Sequence, residues 1–501
     1  MLTRLLLILT LIATVVALLG GFASLAREWR RWRQRRLWIL LVLACGLLPS
    51  TVWAATYYVA TTGNDTTGTG AIGAPWLTIG KAASVVAPGD TVNLRGGTYG
   101  GTAAYVNLST DGTASNRITY QSYAGETAII DGSARAQGTG FQLVVVNGSY
   151  ITLQNLELRQ ASNMSIMVGV NADHVILDSL TIHDGYRNGI GLYRNHFNTV
   201  TNSHIYNMYD FNQGGANADC IDTVDDGLGT EGGNHTITNN TVHGCSDDGI
   251  DMWQAANNTI TGNLSYHNGY IGSTSTPAGN GNGYKLGPGG NNTVIDNIAY
   301  DNRIRGFDAN AGSNNLVYNN TAINNLVYNY SFSPGGNLLT NNIAYLGGTN
   351  VLTGATQTTN SWQLGIVNPQ FVQSTDPTTR TTFAHLQAGS PAIDVGTTVG
   401  GSSHVCVGVC DLGAIEYGSP SDVTPPAAPT GLRILEVVLP ILGAGWHFRK
   451  ALMAGGLAAM TFCTASTITA QLMTAKAVYG LRQATATSLV LLVHLIPRKK
   501  D

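Results

Sequence analysis

The sequence is poor in charged residues, which make up only 11% of its 501 residues, against about 25% in an ordinary soluble domain. Its formal net charge of −3 excludes the strongly basic surface that nucleic-acid binding normally requires. Six cysteines are too few for a scaffold held together by disulfides, and no heptad repeat indicates a coiled coil. Because 44% of the residues are apolar, the chain is expected to fold rather than to remain disordered.

Residues 1–55 differ from the rest of the chain and form a predicted membrane or secretion signal region. Leu5 to Leu25 carry no charge, and this stretch is long enough to span a bilayer. An Arg-rich run, Arg27 to Arg36, is followed by a short apolar run, Leu37 to Pro49, which is typical of a secretory signal. We predict cleavage near Ala55 and a chain that is secreted, or that lies at the outer surface or in the periplasm of a bacterium.

The C-terminal end is also unlike the middle. Residues 419–440 are rich in proline and are predicted to be a linker. Residues 441–501 form an apolar tail for which a membrane anchor, a small helical appendage and a reading-frame artefact all stay open. Residues 56–418 remain as the predicted catalytic domain.

A short pattern recurs through the middle of the chain, in which β-branched and aliphatic residues precede Asn or Ser. Most steps between these markers have nearly the same length, and two are clearly longer, from Ser203 to Asn240 and from Asn263 to Asn297. This regularity, with strand-like alternation and no amphipathic helix in between, predicts an all-β solenoid, a parallel β-helix of about 23 residues per turn. We expect the markers to form a hydrogen-bonded ladder at one corner: Asn155, Ser179, Ser203, Asn240, Asn263, Asn297, Asn320 and Asn342.

Both ends of a solenoid need caps. Leu77 to Val86 is predicted to be a short amphipathic helix that covers the first coil, and the segments up to Gly418 are predicted to be closing coils. With Tyr57 to Ile79 and Pro88 to Tyr99, they resemble the ends of secreted bacterial right-handed β-helix proteins.

A column of polar residues on one face is identified by counting back a constant distance from the markers. Asp251 precedes Asn263 by the same interval as Lys285 precedes Asn297 and Asp308 precedes Asn320. The local strings, GIDMW, GYKLG and GFDAN, are alike, and Gly191 and Asp222 match the position in earlier coils. The extra residues of the two long steps are expected on the same face, because solenoid insertions often gather at the binding face.

Carboxylates surround this column. The string DDGID places Asp247 and Asp248 beside Asp251, and ADCID in the preceding coil places Asp219 level with Asp248. Carboxylates stacked about 5 Å apart repel one another unless a cation compensates. Oxygen ligands at such separations favour Ca²⁺.

Lys285 lies one coil away from these carboxylates. Ca²⁺ and a nearby arginine, Arg303 or Arg305, are expected to depress the pKa of its amine. A neutral amine beside a metal ion could remove an acidified C–H proton. The long groove of a solenoid suits a polymer. In a polymer of uronic acids, removal of this proton would lead to cleavage by β-elimination. Hydrolysis would instead require paired carboxyl groups as acid and base.

The motifs ANADCID, SDDGIDMW, GNGYKLG and RGFDAN, in this order, resemble those of the family 9 polysaccharide lyases, typified by calcium-dependent pectate lyases. The resemblance covers roughly Tyr57 to Gly418. It implies a right-handed β-helix and a monomer that acts on an acidic polysaccharide, pectate or polygalacturonate, with Ca²⁺ as cofactor. It also implies Lys285 as the Brønsted base and four metal ligands: Asp219, Asp247, Asp248 and Asp251.

Several alternatives stay open. Cys220 stands where the family usually has glycine, so Asp222, Asp225 or Asp226 could replace Asp219 as the first ligand. A uronan epimerase, a glycoside hydrolase and a non-catalytic carbohydrate-binding adhesin are the competing functions. We predict that Arg303, Arg305 and Asp308 bind substrate. Three aromatic residues could either stack on sugars or lie in the core: Tyr193, Trp253 and Tyr284. Two disulfides are predicted, Cys220–Cys245 and Cys406–Cys410.

Overall fold

A computed structural model describes residues 54–101, 105–224, 232–333, 335–379 and 381–418. The predicted signal region, linker and apolar tail lie outside these residues, as do Asp225 and Asp226. Within the described ranges, no helix has the length and apolar character needed to cross a bilayer.

The described chain winds into a parallel β-helix with three sheets, and this confirms the predicted fold. Sheet 1 has twelve described strands: Thr56–Val59, Thr91–Leu94, Ile118–Ser122, Ile151–Gln154, Ile176–Asp178, Thr199–Thr201, Thr236–Thr238, Thr259–Thr261, Thr293–Ile295, Leu316–Tyr318, Asn337–Thr340 and Ala355–Thr358. Sheet 2 has ten: Val106–Leu108, Val144–Val146, Ile166–Val168, Ile190–Tyr193, Ile221–Val224, Ile250–Asp251, Asn282–Lys285, Arg305–Asp308, Tyr328–Ser331 and Thr349–Val351. Sheet 3 has ten: Gly97–Tyr99, Ala128–Asp131, Leu156–Arg159, Thr181–His183, His204–Tyr206, Thr241–His243, Leu264–Tyr266, Ile298–Tyr300, Thr321–Ile323 and Ile343–Tyr345.

The core fills the inside of the coil with stacked apolar side chains. In three consecutive strands of sheet 1, Thr199–Thr201, Thr236–Thr238 and Thr259–Thr261, a single buried residue points inward between two threonines, as Ile237 does. In sheet 2, Tyr284 is fully buried and stacks on Phe307 with ring centroids 4.6 Å apart. Tyr284 is therefore a core residue, which decides one of the alternatives left open by the sequence.

An asparagine ladder runs along the corner between sheets 1 and 3, as predicted. Oδ1 of Asn263 accepts hydrogen bonds from the backbone N of Asn240 at 2.9 Å and from its Nδ2 at 3.0 Å. The same pattern continues through the buried residues Asn297, Asn320 and Asn342. Each amide satisfies backbone groups that a turn would otherwise leave without partners inside the protein.

The predicted ladder is wrong by one residue at its first two positions. Strand register aligns Leu156 and Leu180, rather than Asn155 and Ser179, with Ser203. Asn155 and Ser179 instead have φ values of 54° each, in the left-handed region that asparagine tolerates better than most residues. The sequence places an Asn or Ser in both columns, so the pattern alone does not separate them.

The two ends differ from the prediction in detail. The N-terminal helix spans only Ile79–Ala83 and is capped by Thr78, whose Oγ1 accepts a hydrogen bond from Lys81 N at 3.1 Å. The C-terminal segments form no strands of the three sheets in their described part. Instead, Phe371, Phe383 and Leu386 pack on apolar residues of sheet 3, so these segments cover its side rather than extend the coil.

Candidate active site

Two parallel columns of polar residues run up the outer face of sheet 2. The first is the predicted column, in which strand pairing aligns Gly191, Asp222, Asp251, Lys285 and Asp308 in this order. Their strand neighbours point into the core, so these side chains point outward. The predicted alignment of the column is confirmed.

The second column lies three residues earlier in each turn, and sequence reasoning recognised only part of it. Asn188 and Asn282, which were missed, stand in the same positions as Asp219 and Asp248 in neighbouring turns. The constant spacing before the first column was a signal that could have found them. Asn282 N donates to Oδ1 of Asp248 at 2.7 Å.

Three carboxylates from two turns meet at one point. One carboxylate oxygen from each of Asp219, Asp248 and Asp251 lies within 4.8 Å of the other two, and all three residues are buried. Oδ1 of Asp251 has no hydrogen-bond partner among the described residues although it is buried. Such a group of oxygens, with an unsatisfied atom, suits a hard cation such as Ca²⁺.

The other predicted ligands occupy different positions. Asp247 lies outside this group of three, and its carboxylate accepts a hydrogen bond from the backbone N of Asn280. Asp222, one of the alternatives to Asp219, accepts a hydrogen bond from Nδ2 of Asn188 at 2.6 Å. Asp219 itself is in the group, and its Oδ1 also accepts a hydrogen bond from Asp248 N at 2.9 Å.

Burial makes these carboxylates costly to ionise. It raises the pKa of Asp219 well above its ordinary value, and the neighbouring carboxylates, Asp247 foremost, raise it further. The pKa of Asp247 is raised to about 9 by burial and by Asp248. Burial also raises the pKa of Asp222 to about 6, although Lys285 opposes the change. With all of these carboxylates ionised, the cluster would hold more negative charge than Lys285 alone can compensate, so ionisation requires a further cation.

Lys285 contacts this cluster directly. Its Nζ lies 2.6 Å from Oδ2 of Asp251 and 3.3 Å from Oδ2 of Asp248, and 4.8 Å from the ring centroid of Trp253. Burial by itself lowers the pKa of Lys285, but the carboxylates outweigh it and hold the pKa well above its usual range. The predicted lowering of this pKa refers to a site that holds Ca²⁺ and stays a prediction, because the carboxylates stabilise the ammonium unless a cation neutralises them.

The three predicted substrate-binding residues have different surroundings. The Arg303 guanidinium donates to the backbone carbonyls of Gly279 and Asn280 and so holds the loop before Lys285. Nη1 of Arg305 lies 3.7 Å from Oδ2 of Asp308, next to Lys285 along the first column. Arg305 and Asp308 are therefore at the outer face beside the cluster, whereas Arg303 is used in anchoring a loop.

The two long steps of the repeat form loops at one flank of the cluster. Ser246 Oγ donates to the carbonyl of Gly215 in the first loop at 3.1 Å, and Asp247 binds Asn280 in the second loop. The predicted gathering of insertions beside the polar column is thus observed for the described part of both steps, while residues 225–231 of the first step lie outside the described residues. The disulfide Cys220–Cys245, with Cα atoms 5.6 Å apart, joins the turns that carry Asp219 and Asp248, and Cys406 and Cys410 form the second disulfide.

Comparison with known proteins identifies the family. A family model described as Pel9A-like, right handed beta helix region, matches residues 57–342. The chain belongs to this Pel9A-like right-handed β-helix family. The solved structure of pectate lyase Pel9A has a TM-score of 0.65 and 26% sequence identity, with 72% of this chain and 96% of that chain covered.

Curated relatives of this Pel9A-like chain are also pectate lyases by name. Pectate lyase PEL9 of Emericella nidulans is 29% identical over 300 residues, which are 52% of this chain and 70% of that protein. Pectate lyase L of Paenibacillus polymyxa is 28% identical over 250 residues, 46% of this chain. The chain spans only 54% of the Paenibacillus protein. A rhamnogalacturonan lyase with a TM-score of 0.57 and 21% identity shares the fold.

Proposed function

We propose that this Pel9A-like protein is a polysaccharide lyase that cleaves a uronic-acid polymer, most readily pectate or polygalacturonate, by Ca²⁺-assisted β-elimination. The proposal depends on one observation: the amine of Lys285 lies beside a group of three buried carboxylates on the outer face of sheet 2, those of Asp219, Asp248 and Asp251. The names of the family relatives support the same substrate class.

Asp219, Asp248 and Asp251 would hold the Ca²⁺ ion. Asp247 stands next to them and adds negative charge, so it would contribute to cation affinity either as a ligand or through the field of its carboxylate. When bound, Ca²⁺ supplies positive charge to the carboxylate of a uronate unit, which makes the C5 proton of the sugar more acidic.

Lys285 would remove that proton. Its amine would take the C5 proton, the electron pair would form a double bond between C4 and C5, and the bond from C4 to O4 would break. O4 would leave with the electrons of that bond and take up a proton, so the released chain ends in a hydroxyl. No water is consumed, and the product carries a conjugated unsaturated uronate at its new end. The amine can act only when it is uncharged, so its contacts with Asp251 and Asp248 must weaken first. A cation shared by those carboxylates would weaken them, because it lowers the negative potential at Nζ.

Arg305 would bind a second uronate carboxylate. Its guanidinium stands two turns from Asp248 in the second column, and its Nε is buried without a hydrogen-bond partner in the described part of the chain. Asp308 orients this guanidinium across 3.7 Å. Arg303 would act indirectly, by holding the loop that leads to Lys285.

The ends of the chain complete the proposal. We propose that residues 1–55 direct export, that residues 56–418 are the catalytic domain, and that residues 419–440 link it to the apolar tail 441–501. Two disulfides in the catalytic domain agree with an oxidising compartment outside the cytoplasm.

The test is incubation of residues 56–418, within the full chain or after its natural processing, with polygalacturonate and Ca²⁺. A lyase generates a product that absorbs in the near ultraviolet. A hydrolase would produce reducing ends without this absorbance, and an epimerase would change the sugar composition without shortening the polymer. An adhesin would bind the polymer and leave it intact, and Lys285→Ala would then bind as the unaltered protein does.

A further inference from the structure

A cavity of about 530 Å³ lies at the corner between sheets 3 and 2. It is on the N-terminal side of the acidic cluster, which is formed by Asp219, Asp248 and Asp251. Its lining includes Gln160, Asp184 and Asn207, which follow three successive strands of sheet 3. Arg135 and Gln137, from the loop that follows strand Ala128–Asp131, also line it. The volume lies in the range of small-ligand pockets, and the polar lining suits a sugar better than an apolar molecule.

Arg135 presents a fixed positive charge in this cavity. Its guanidinium carbon lies 4.5 Å from the ring centroid of Tyr105 and 3.9 Å from that of Phe141. Its Nε is buried without a hydrogen-bond partner, and no Asp or Glu forms an ion pair with it among the described residues. An arginine held in place by aromatic rings and lacking a carboxylate partner is well placed to bind the carboxylate of a ligand.

One short chain segment links the lining of the cavity to the proposed active site. Asp184 and Gly185 line the cavity, and Asn188, in the same turn, donates through Nδ2 to Asp222 at 2.6 Å. Asp222 pairs in register with Asp251. Since turns are stacked about 4.8 Å apart, the centre of the cavity is about two turns from Asp251 along the helix axis.

Buried polar atoms without partners line the same route. The described residues leave Oδ1 of Asn163, Oγ of Ser165, Nε of Arg187 and Oδ1 of Asn188 without hydrogen bonds. These residues occupy adjacent turns, because Arg187 N donates to the Asn163 carbonyl and Ser165 N to the Asn188 carbonyl. Native proteins satisfy nearly all buried polar atoms, and ordered water is the usual partner of such atoms, so this segment has room for polar partners beside the cavity.

We infer that this cavity is a second saccharide subsite, which holds an acidic sugar unit of the bound polymer with its carboxylate on Arg135. The inference rests on the proposed function, because the unit belongs to the same uronan that crosses the acidic cluster. The subsite adds affinity only for chains long enough to reach from Lys285 to Arg135. The protein should therefore discriminate between long and short oligouronates.

The test measures binding of a six-unit and a three-unit oligogalacturonate by calorimetry, with Ca²⁺ present and Lys285→Met as the background so that the ligand is not cut. Adding Arg135→Gln should weaken binding of the six-unit chain about tenfold, the loss of one charge-assisted bidentate contact. Binding of the three-unit chain should change less than twofold. Ala136→Trp, which fills the cavity and keeps the arginine, should reproduce this length-dependent loss.

Arg95→Gln is the matched control, because Arg95 pairs with Glu126 and does not line the cavity, and it should leave both affinities unchanged. Thermal melting of each variant reports on folding. Equal binding of the six-unit chain by the parent, Arg135→Gln and Ala136→Trp would overturn the subsite while leaving the lyase proposal intact. If the protein with its native Lys285 produced no unsaturated product, the proposed function and this inference would both be overturned.

Discussion

Lys285 lies directly above Asp251 on sheet 2, and its Nζ is 2.6 Å from Oδ2 of that aspartate, although 34 residues separate the two in the chain. The contact exists because the second long step of the repeat leaves the strand register unchanged. The carboxylates that hold the ammonium are the same ones that would bind Ca²⁺. The ammonium and a metal ion therefore compete for the same oxygens, and this competition is central to the predictions for the site.

Replacing Lys285 with methionine should reduce β-elimination about a thousandfold, in the range expected for loss of a general base. Ca²⁺ affinity should not weaken, because methionine removes a competing cation from Asp251 and Asp248. Near-ultraviolet product formation and Ca²⁺ titration calorimetry measure the two effects. Lys81→Met, on the capping helix, is the control, and full activity of Lys285→Met would remove the base assignment.

The carboxylates should separate into two groups when each is replaced with asparagine. Asp219→Asn, Asp248→Asn and Asp251→Asn should each lower Ca²⁺ affinity at least tenfold, since each removes an ionised oxygen ligand. Asp247→Asn should have a smaller effect, because its oxygen lies outside the group of three. An excess of chelator should abolish activity, and added Ca²⁺ should restore it.

Asp219→Asn also tests the electrostatic cost of the site. Burial and neighbouring carboxylates raise the pKa of Asp219 strongly, so ionising it without a cation opposes folding. In chelator, the melting temperature of Asp219→Asn should equal or exceed that of the unaltered protein. Added Ca²⁺ should raise the melting temperature of the unaltered protein much more than that of Asp219→Asn. A lower melting temperature of Asp219→Asn than of the unaltered protein in chelator would contradict the explanation.

Arg303 and Arg305 form a matched pair of variants. Arg305→Gln should raise KM for polygalacturonate about tenfold with little change in melting temperature, because its guanidinium faces the outer surface of the column. Arg303→Gln should lower the melting temperature and kcat, since the bonds to Gly279 and Asn280 hold the loop before Lys285. Kinetics and thermal melting of both variants distinguish the roles, and interchanged effects would reverse the assignment.

His404 makes the stability of the C-terminal region depend on pH. Its Nδ1 lies 2.6 Å from Asp296 and its Nε2 lies 2.8 Å from Glu416. Burial lowers the pKa of His404, but the two carboxylates outweigh it and raise the pKa to about 9, against about 6.5 in an unfolded chain.

The stabilisation from the charged imidazole is therefore complete below about pH 6.5 and is lost as the pH rises through about 9. The melting temperature of the unaltered protein should fall between pH 7 and pH 10. His404→Gln should start lower and show a flatter profile over that range. Parallel pH profiles of the two proteins would show that His404 is not the titrating group.

The sequence was sufficient for the parts of the fold that repeat. The regular spacing of the markers predicted the parallel β-helix, and a constant interval before each marker placed Asp251, Lys285 and Asp308 in one column. Both follow from the constant length of a turn, which aligns equivalent residues without knowledge of their contacts. The prediction of the ladder was wrong at Asn155 and Ser179 because two adjacent columns at this corner contain the same residue types. One column forms the hydrogen-bonded ladder, and the other has a left-handed backbone.

The repeat, the column and the pairing of the ADCID and DDGID strings could all be predicted from the sequence, because periodic spacing alone specifies which residues are stacked. The contacts of each side chain are seen only in the folded chain. Asp247 and Arg303 hold loops, Lys285 is paired with carboxylates, and Arg135 lines a cavity about two turns from Asp251. The contacts of Asp247 and Arg303 depend on how the irregular insertions fold back on the coil, and insertions have no period from which their positions could be predicted.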